Sequence, residues 1–198
     1  MKHKKLTLLA VLASMILIST GTINSQTRYA TKKTAYPHFS VSGLGGVSFP
    51  IGNFGEKYKT GPTFGIDLSY KVNKEVGFYG KFGYSMFPNK ILGGAPDAKY
   101  MEYTVGPRYY FTSKNLKSSL FLEAGLGGYS FTQPSYTVNS AEAAEYQTTN
   151  FGLNAGIGGV LNLGRDVDLL FKAKYHNILT PDGSTSFIEP LLGVDIRF

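Results

Sequence analysis

From residue 38 onward, apolar and polar side chains largely change places at each step, in runs broken by turn residues. The last run is the plainest. Ile188, Pro190, Leu192, Val194, Ile196 and Phe198 fall on one side, with Glu189, Gly193, Asp195 and Arg197 on the other. A helix would scatter both sets around its circumference, whereas a strand points successive side chains to opposite faces and separates them. Runs over 64–72, 76–86, 101–111, 120–127, 151–157 and 169–176 divide the same way. The run over 38–49 is less regular, with Phe39, Val41, Val47 and Phe49 opposite Ser40, Ser42 and Ser48. The pattern predicts eight strands and an all-β fold.

The connections alternate too. Segments 50–62, 88–99 and 132–147 are long, 73–75, 112–117 and 164–166 are short, and 178–186 is intermediate. In an up-and-down antiparallel order, all long connections gather on one rim and all tight turns on the other. A barrel inserted in a membrane has this asymmetry.

The N-terminus reads differently. Lys2, Lys4 and Lys5 precede an apolar run over 6–18 interrupted only by Thr7 and Ser14, and small and polar residues follow to Ser25. A basic start, a short apolar core and a small residue at the cut describe a secretory signal peptide over 1–25. The apolar run falls short of the roughly 20 residues that a membrane-spanning helix needs. Residues 26–37 form a polar linker and 38–198 the barrel domain. With no other long apolar run, a membrane location requires a closed barrel, since an open sheet leaves backbone groups unpaired in lipid.

Composition narrows the chemistry. Gly (24), Tyr (14) and Phe (14) are abundant, charged residues make up only 17%, and Cys and Trp are absent. A chain without Cys has no disulfide, no thiolate metal site and no Cys nucleophile, nor a Cys for lipid attachment. The formal charge of +7 falls to +4 once the three leader lysines are discounted. The remaining cations are scattered, so no nucleic-acid surface is expected.

Alternation alone does not say which face points inward, because a soluble eight-stranded barrel shares it. Two features favour apolar-out. Aromatic residues end the apolar faces at both rims: Phe49, Phe64, Tyr84, Tyr103, Phe151 and Tyr175 on the loop side, and Phe39, Tyr70, Phe78, Tyr109, Phe111 and Phe198 on the turn side. Such girdles suit the two lipid–water interfaces. The polar face carries both signs in similar number: Lys71, Lys81, Arg108, Lys172, Lys174 and Arg197 against Asp67, Glu102, Glu123, Glu189 and Asp195. Enclosed in a narrow lumen, these eleven residues are expected to pair, as buried charge requires.

The C-terminal residues Val194, Ile196 and Phe198, alternating with Asp195 and Arg197, resemble the sorting signal of outer-membrane β-barrel proteins. The stretch 43–54, continuing through 61–65, is similar to the opening hairpin of small porin-like members of that class. Across 38–198 the chain resembles the eight-stranded OmpA/OmpX type. That resemblance implies an antiparallel up-and-down transmembrane β-barrel in the outer membrane of a Gram-negative cell, delivered by the barrel-assembly machinery. Its surroundings would be outer-membrane lipid, its state a monomer, and its role structural or interactive through loops whose partner the sequence does not identify. A narrow channel for ions or small solutes is the alternative. A lipid-modifying barrel enzyme and a soluble periplasmic ligand binder rank lower.

Other motifs carry little. The Gly-x-Gly-Gly patterns at Gly43, Gly125 and Gly156 lack the sixth-position glycine of a dinucleotide fingerprint, having Ser48, Ser130 and Leu161 there instead. They read as space-makers in curved strands. His38 and His176 are assigned to opposite rims, with His176 a strand-end residue facing water near Lys174 and Asp182. No metal site, cofactor or catalytic residue is expected. The segment 132–147, with Glu142 and Glu145, reads as a solvated loop with room for a short helix.

Overall fold

The computed structural model describes residues 36–90, 96–112, 118–138, 141–181 and 183–198. The expected signal peptide over 1–25, nearly all of the expected linker, 113–117 of the short connection and Asp182 lie outside the described residues. The strands are β1 (His38–Ile51), β2 (Gly61–Lys71), β3 (Val76–Phe87), β4 (Ala98–Thr112) and β5 (Ser118–Gln133), then β6 (Tyr136–Val138), β7 (Ala141–Ala143), β8 (Tyr146–Asn162), β9 (Val167–Thr180) and β10 (Gly183–Arg197). One short helix, α1 (Gly52–Lys57), follows β1. Eight strands close into an antiparallel barrel in the order β1-β10-β9-β8-β5-β4-β3-β2, while β6 and β7 form a small separate hairpin. The predicted eight-stranded all-β barrel is therefore observed. Among the described residues, no helix is long and apolar enough to cross a membrane.

The registers fix the geometry. Stepping round the barrel from Val41 through Leu68, Gly80, Val105, Leu126, Leu153, Asn177 and Ser186 returns to β1 at Ile51, ten residues further on. With eight strands, a shear of ten sets the strand tilt at about 42°. The C-terminal seam closes with Phe198 N–H donating to the Phe39 carbonyl at 2.9 Å.

The in–out phase follows the sequence pattern throughout. Leu68, Phe82, Val105, Leu122, Leu153, Tyr175 and Leu192 face outward and are exposed; their neighbours Asp67, Lys81, Thr104, Phe121, Asn154, Lys174 and Leu191 are buried inside.

At one rim the turns are tight. Asn73 Oδ1 accepts from the backbone N–H groups of Glu75 and Val76, both at 2.8 Å, an Asx-type turn between β2 and β3. The other rim differs from expectation in three places. The first long connection holds α1, entered through Gly52 at φ +61°, a conformation that favours glycine. The segment 132–147 is largely strand: β5 and β8 run past the barrel, and β6–β7 caps them where a plain loop was expected. The segment 178–186 is a short hairpin, because β9 continues to Thr180 and β10 begins at Gly183.

Candidate functional site: the charged lumen

Strand alternation turns polar residues of all eight barrel strands toward one axis, where two linked clusters form. The cluster nearer the turn rim centres on Arg108. Its Nη2 lies 2.9 Å from Asp67 Oδ2 and 2.5 Å from Glu123 Oε2, its Nε is 2.8 Å from Glu123, and its Nη1 donates to Ser69 Oγ at 2.8 Å. The guanidinium also faces the Phe121 ring at 4.5 Å. Lys172 bridges the same two carboxylates, pairing with Asp67 and reaching Glu123 Oε1 at 3.3 Å.

The second cluster lies nearer the loop rim. Lys81 bridges Glu102, at 2.6 Å, and Glu189. Lys174 reaches Glu102 at 3.1 Å and Glu123 at 3.9 Å, and so joins the two clusters. Hydroxyl groups complete the coordination: Thr104 donates to Glu102 at 2.7 Å and Thr63 to Glu189 at 2.6 Å. His176 Nε2 stands 3.4 Å from Glu189, and its Nδ1 is 2.9 Å from the Tyr129 hydroxyl. Asn154 links onward, donating to Tyr129 and accepting from Tyr79 at 2.7 Å.

Four cations (Lys81, Arg108, Lys172, Lys174) thus meet four carboxylates (Asp67, Glu102, Glu123, Glu189), and the core of the lumen is neutral with His176 uncharged. Neutrality is what permits so much buried charge, since an unpaired ion in this setting carries a penalty of several kcal/mol.

Apolar layers cover both ends of this core. On the loop side Phe54 of α1 drops into the mouth and meets Phe87 and Tyr100 edge-on, at ring distances of 5.0 and 5.7 Å. Phe187 lies beneath, stacked on His176 at 4.4 Å. Tyr58, just after α1, donates to Gln133 at 2.9 Å, and partial burial pushes its phenol pKa up. On the turn side Leu44, Tyr110, Phe121, Leu170 and Leu191 pack together.

The remaining sequence candidates stand apart from the clusters. Lys71 sits over the Tyr110 ring at 3.7 Å instead of meeting a carboxylate. Asp195 accepts from Ser42 at 2.6 Å. Arg197 pairs at 3.1 Å with Asp168, a carboxylate the sequence reading missed, at the turn rim. Val194, Ile196 and Phe198 are all exposed on the outer face.

His176 requires a correction. It is not a strand-end residue facing water but is fully buried in the lumen, because β9 continues four residues beyond it. Ligand atoms of Glu102, His176 and Glu189 lie within 4.8 Å of one another, a spacing compatible with a metal ion. Both carboxylates are already held by Lys81 and one of them by Lys174, so a dication would have to displace ammonium groups from a balanced cluster.

The family described as outer membrane protein beta-barrel domain matches residues 10–198. No curated protein sequence matched the chain. Among solved structures, Neisserial surface protein A is 18% identical, with 81% of this chain and 97% of that chain covered at a TM-score of 0.63. Ail, the attachment invasion locus protein of Yersinia pestis, in complex with the heparin analogue sucrose octasulfate, is 19% identical, with 82% and 99% covered and a TM-score of 0.54. OprG of Pseudomonas aeruginosa is 16% identical, with 82% and 96% covered and a TM-score of 0.53. At these identities the likeness is one of fold.

Proposed function

The chain belongs to the outer membrane protein β-barrel family, and from that premise we propose that it is a closed, non-conducting and non-enzymatic barrel that serves the envelope structurally and presents its loop-side segments to the exterior. The observation that carries this reading is the neutral lumen core sealed between two apolar layers. Eight strands leave an interior only wide enough for side chains. Here bridging ion pairs occupy that width, and Phe54 of α1 covers the mouth. A continuous water path would have to break those pairs.

The same packing argues against catalysis in the lumen. His176 has no exposed surface, and the neighbouring carboxylates are engaged by lysines. Its role is structural, holding Glu189 and Tyr129. The protein acts as a monomer, reaches the membrane by way of the leader over 1–25, and is handed to the assembly machinery through Val194, Ile196 and Phe198.

Planar-bilayer recording of the purified, folded barrel tests the central point. Silence at all applied voltages is expected, and discrete conductance steps in the native protein would replace this reading with the narrow-channel one. Phospholipid-hydrolysis and acyl-transfer assays on the native protein and His176→Ala are expected to give identical background. Activity lost in the variant would overturn the non-enzymatic assignment.

A further inference from the structure

The lipid-facing wall is not uniform. On β1 the outward positions are mostly large, but Gly43 and Gly45 are outward and bare: a Cβ on Gly43 would meet nothing within 4 Å, and one on Gly45 only the Phe64 ring at 3.8 Å. The result is an apolar depression of about 380 Å³ floored by Gly43 and bounded by Phe64, Ile66, Phe82 and Tyr84. By register, Leu192 and Val194 of β10 border its other side. The depression spans β1, β2 and β3 and is bounded toward the loop rim by the Phe64–Tyr84 pair.

Directly above that rim, the loop-side ends of β2 and β3 stay zipped together. Lys59 N–H donates to the Pro88 carbonyl at 2.7 Å and Lys90 N–H to the Lys57 carbonyl at 2.9 Å, flanking the Tyr58–Asn89 bridge. Tyr58 turns inward onto Phe54, which leaves Lys57, Lys59 and Lys90 exposed. Lys99 joins them from β4, outward because Ala98 and Tyr100 on either side are buried inside. It stands four residues beyond the girdle residue Tyr103, about 10 Å higher at the tilt derived above. That height reaches across a headgroup layer of roughly 5–8 Å. One ammonium donor of Lys90 is engaged by the Gly55 carbonyl, leaving others for a ligand.

The four lysines are offset only by Glu56 and Asp97 on their side of the rim. The other two loop-side connections carry Glu142, Glu145 and Asp182 and no cation. The exterior is therefore polarised, with its positive sector above the apolar depression.

We propose that the β1–β4 sector is a binding site for one anionic outer-leaflet lipid, whose phosphate groups meet Lys57, Lys59, Lys90 and Lys99 while an acyl chain lies in the depression over Gly43. Lysine stems suit this task because they lie along apolar surface while the ammonium stays in the polar layer. The site rests on the membrane-barrel reading proposed above, with the loop rim outward.

The test uses the full mature chain folded in detergent, with the heat-dependent shift in gel mobility recorded first for every variant. Native mass spectrometry then follows mixtures with diphosphorylated lipid A, with a zwitterionic phosphatidylcholine and with inorganic phosphate. One retained lipid A per barrel is expected, at concentrations where phosphatidylcholine is not retained. Gly43→Leu with Gly45→Leu fills the depression from the lipid side, and Lys57→Gln with Lys59→Gln and Lys99→Gln removes three of the four charges. Each set is expected to weaken retention at least ten-fold, whereas Lys74→Gln at the turn rim leaves it unchanged. Equal retention of phosphatidylcholine, displacement of lipid A by equimolar inorganic phosphate, or a dimer abolished by the glycine changes would each overturn the proposal. A native chain with no heat-shifted band would instead overturn the barrel reading on which it rests.

Discussion

At the scale of single residues, the lumen is governed by pairing. Arg108 holds Asp67 and Glu123 together; if the guanidinium is removed, Asp67 keeps Lys172, and Glu123 keeps Lys172 and the more distant Lys174. Arg108→Met is therefore expected to lower unfolding free energy by about 3–5 kcal/mol, the usual consequence of stranding one side of a buried ion pair. Denaturant titration in detergent, followed by loss of the heat-shifted band, measures it; a change below about 1 kcal/mol would mean that the network is hydrated and weak. Space is equally tight. A Cβ on Gly125 would sit 2.3 Å from the Tyr79 hydroxyl and one on Gly158 2.4 Å from the Phe121 ring, so Gly125→Val is expected to block folding by overcrowding. Which residues face the lumen was legible from parity alone, as Asp67, Lys81, Glu102 and Glu189 illustrate. Which of them pair was not, because Lys81 and Glu189 lie 108 residues apart and only closure brings them together. His176 was misplaced for a related reason. Its strand continues through Ile178, Leu179 and Thr180, and mixed residues there give no visible end to the alternation.

At the scale of elements, the strands outrun the apolar band. Apolar outward residues define the segment in lipid, but β5 and β8 continue into a protruding hairpin, which the Ser-, Thr- and Ala-rich sequence of 132–147 disguised as loop. Depth along a strand should therefore be readable in energy. Leu122→Arg, on the outer face of β5, is expected to cost about 2–4 kcal/mol, and Leu179→Arg, four residues beyond the girdle residue Tyr175, about 0–1 kcal/mol. Equal effects in a folding titration would contradict the placement of the lipid band. The helix α1 was invisible to pattern reading: six residues including two glycines carry no helical periodicity, and only the pocket formed by Phe87 and Tyr100 gives Phe54 a reason to turn inward. Phe54→Ala is expected to cost about 3–5 kcal/mol by the cavity it leaves. It should also speed proteolysis within 52–60 while the barrel keeps its heat-shifted mobility.

At the scale of the whole molecule, the protein is an inverted solution to burial. Its charges are inside and mutually neutralised, and its apolar side chains are outside, where a soluble protein could not keep them. The number of barrel strands, the tight turns at 73–75 and 164–166 and the direction of the faces were legible, because each follows from local alternation and turn chemistry. The shear of ten was not, since register across strands leaves no trace in a single sequence; it follows instead from the pairings around the ring. The chain contains no tryptophan, so any tryptophan introduced is the sole indole reporter. Leu122→Trp and Leu153→Trp, both outward, and Phe121→Trp, inward, would be folded into bilayers with ordinary or brominated acyl chains, and indole fluorescence compared. Strong quenching by bromine at 122 and 153 and little at 121 is the predicted result. Quenching at 121 with none at 122 and 153 would mean that the polar face meets lipid, and would contradict the account at its base.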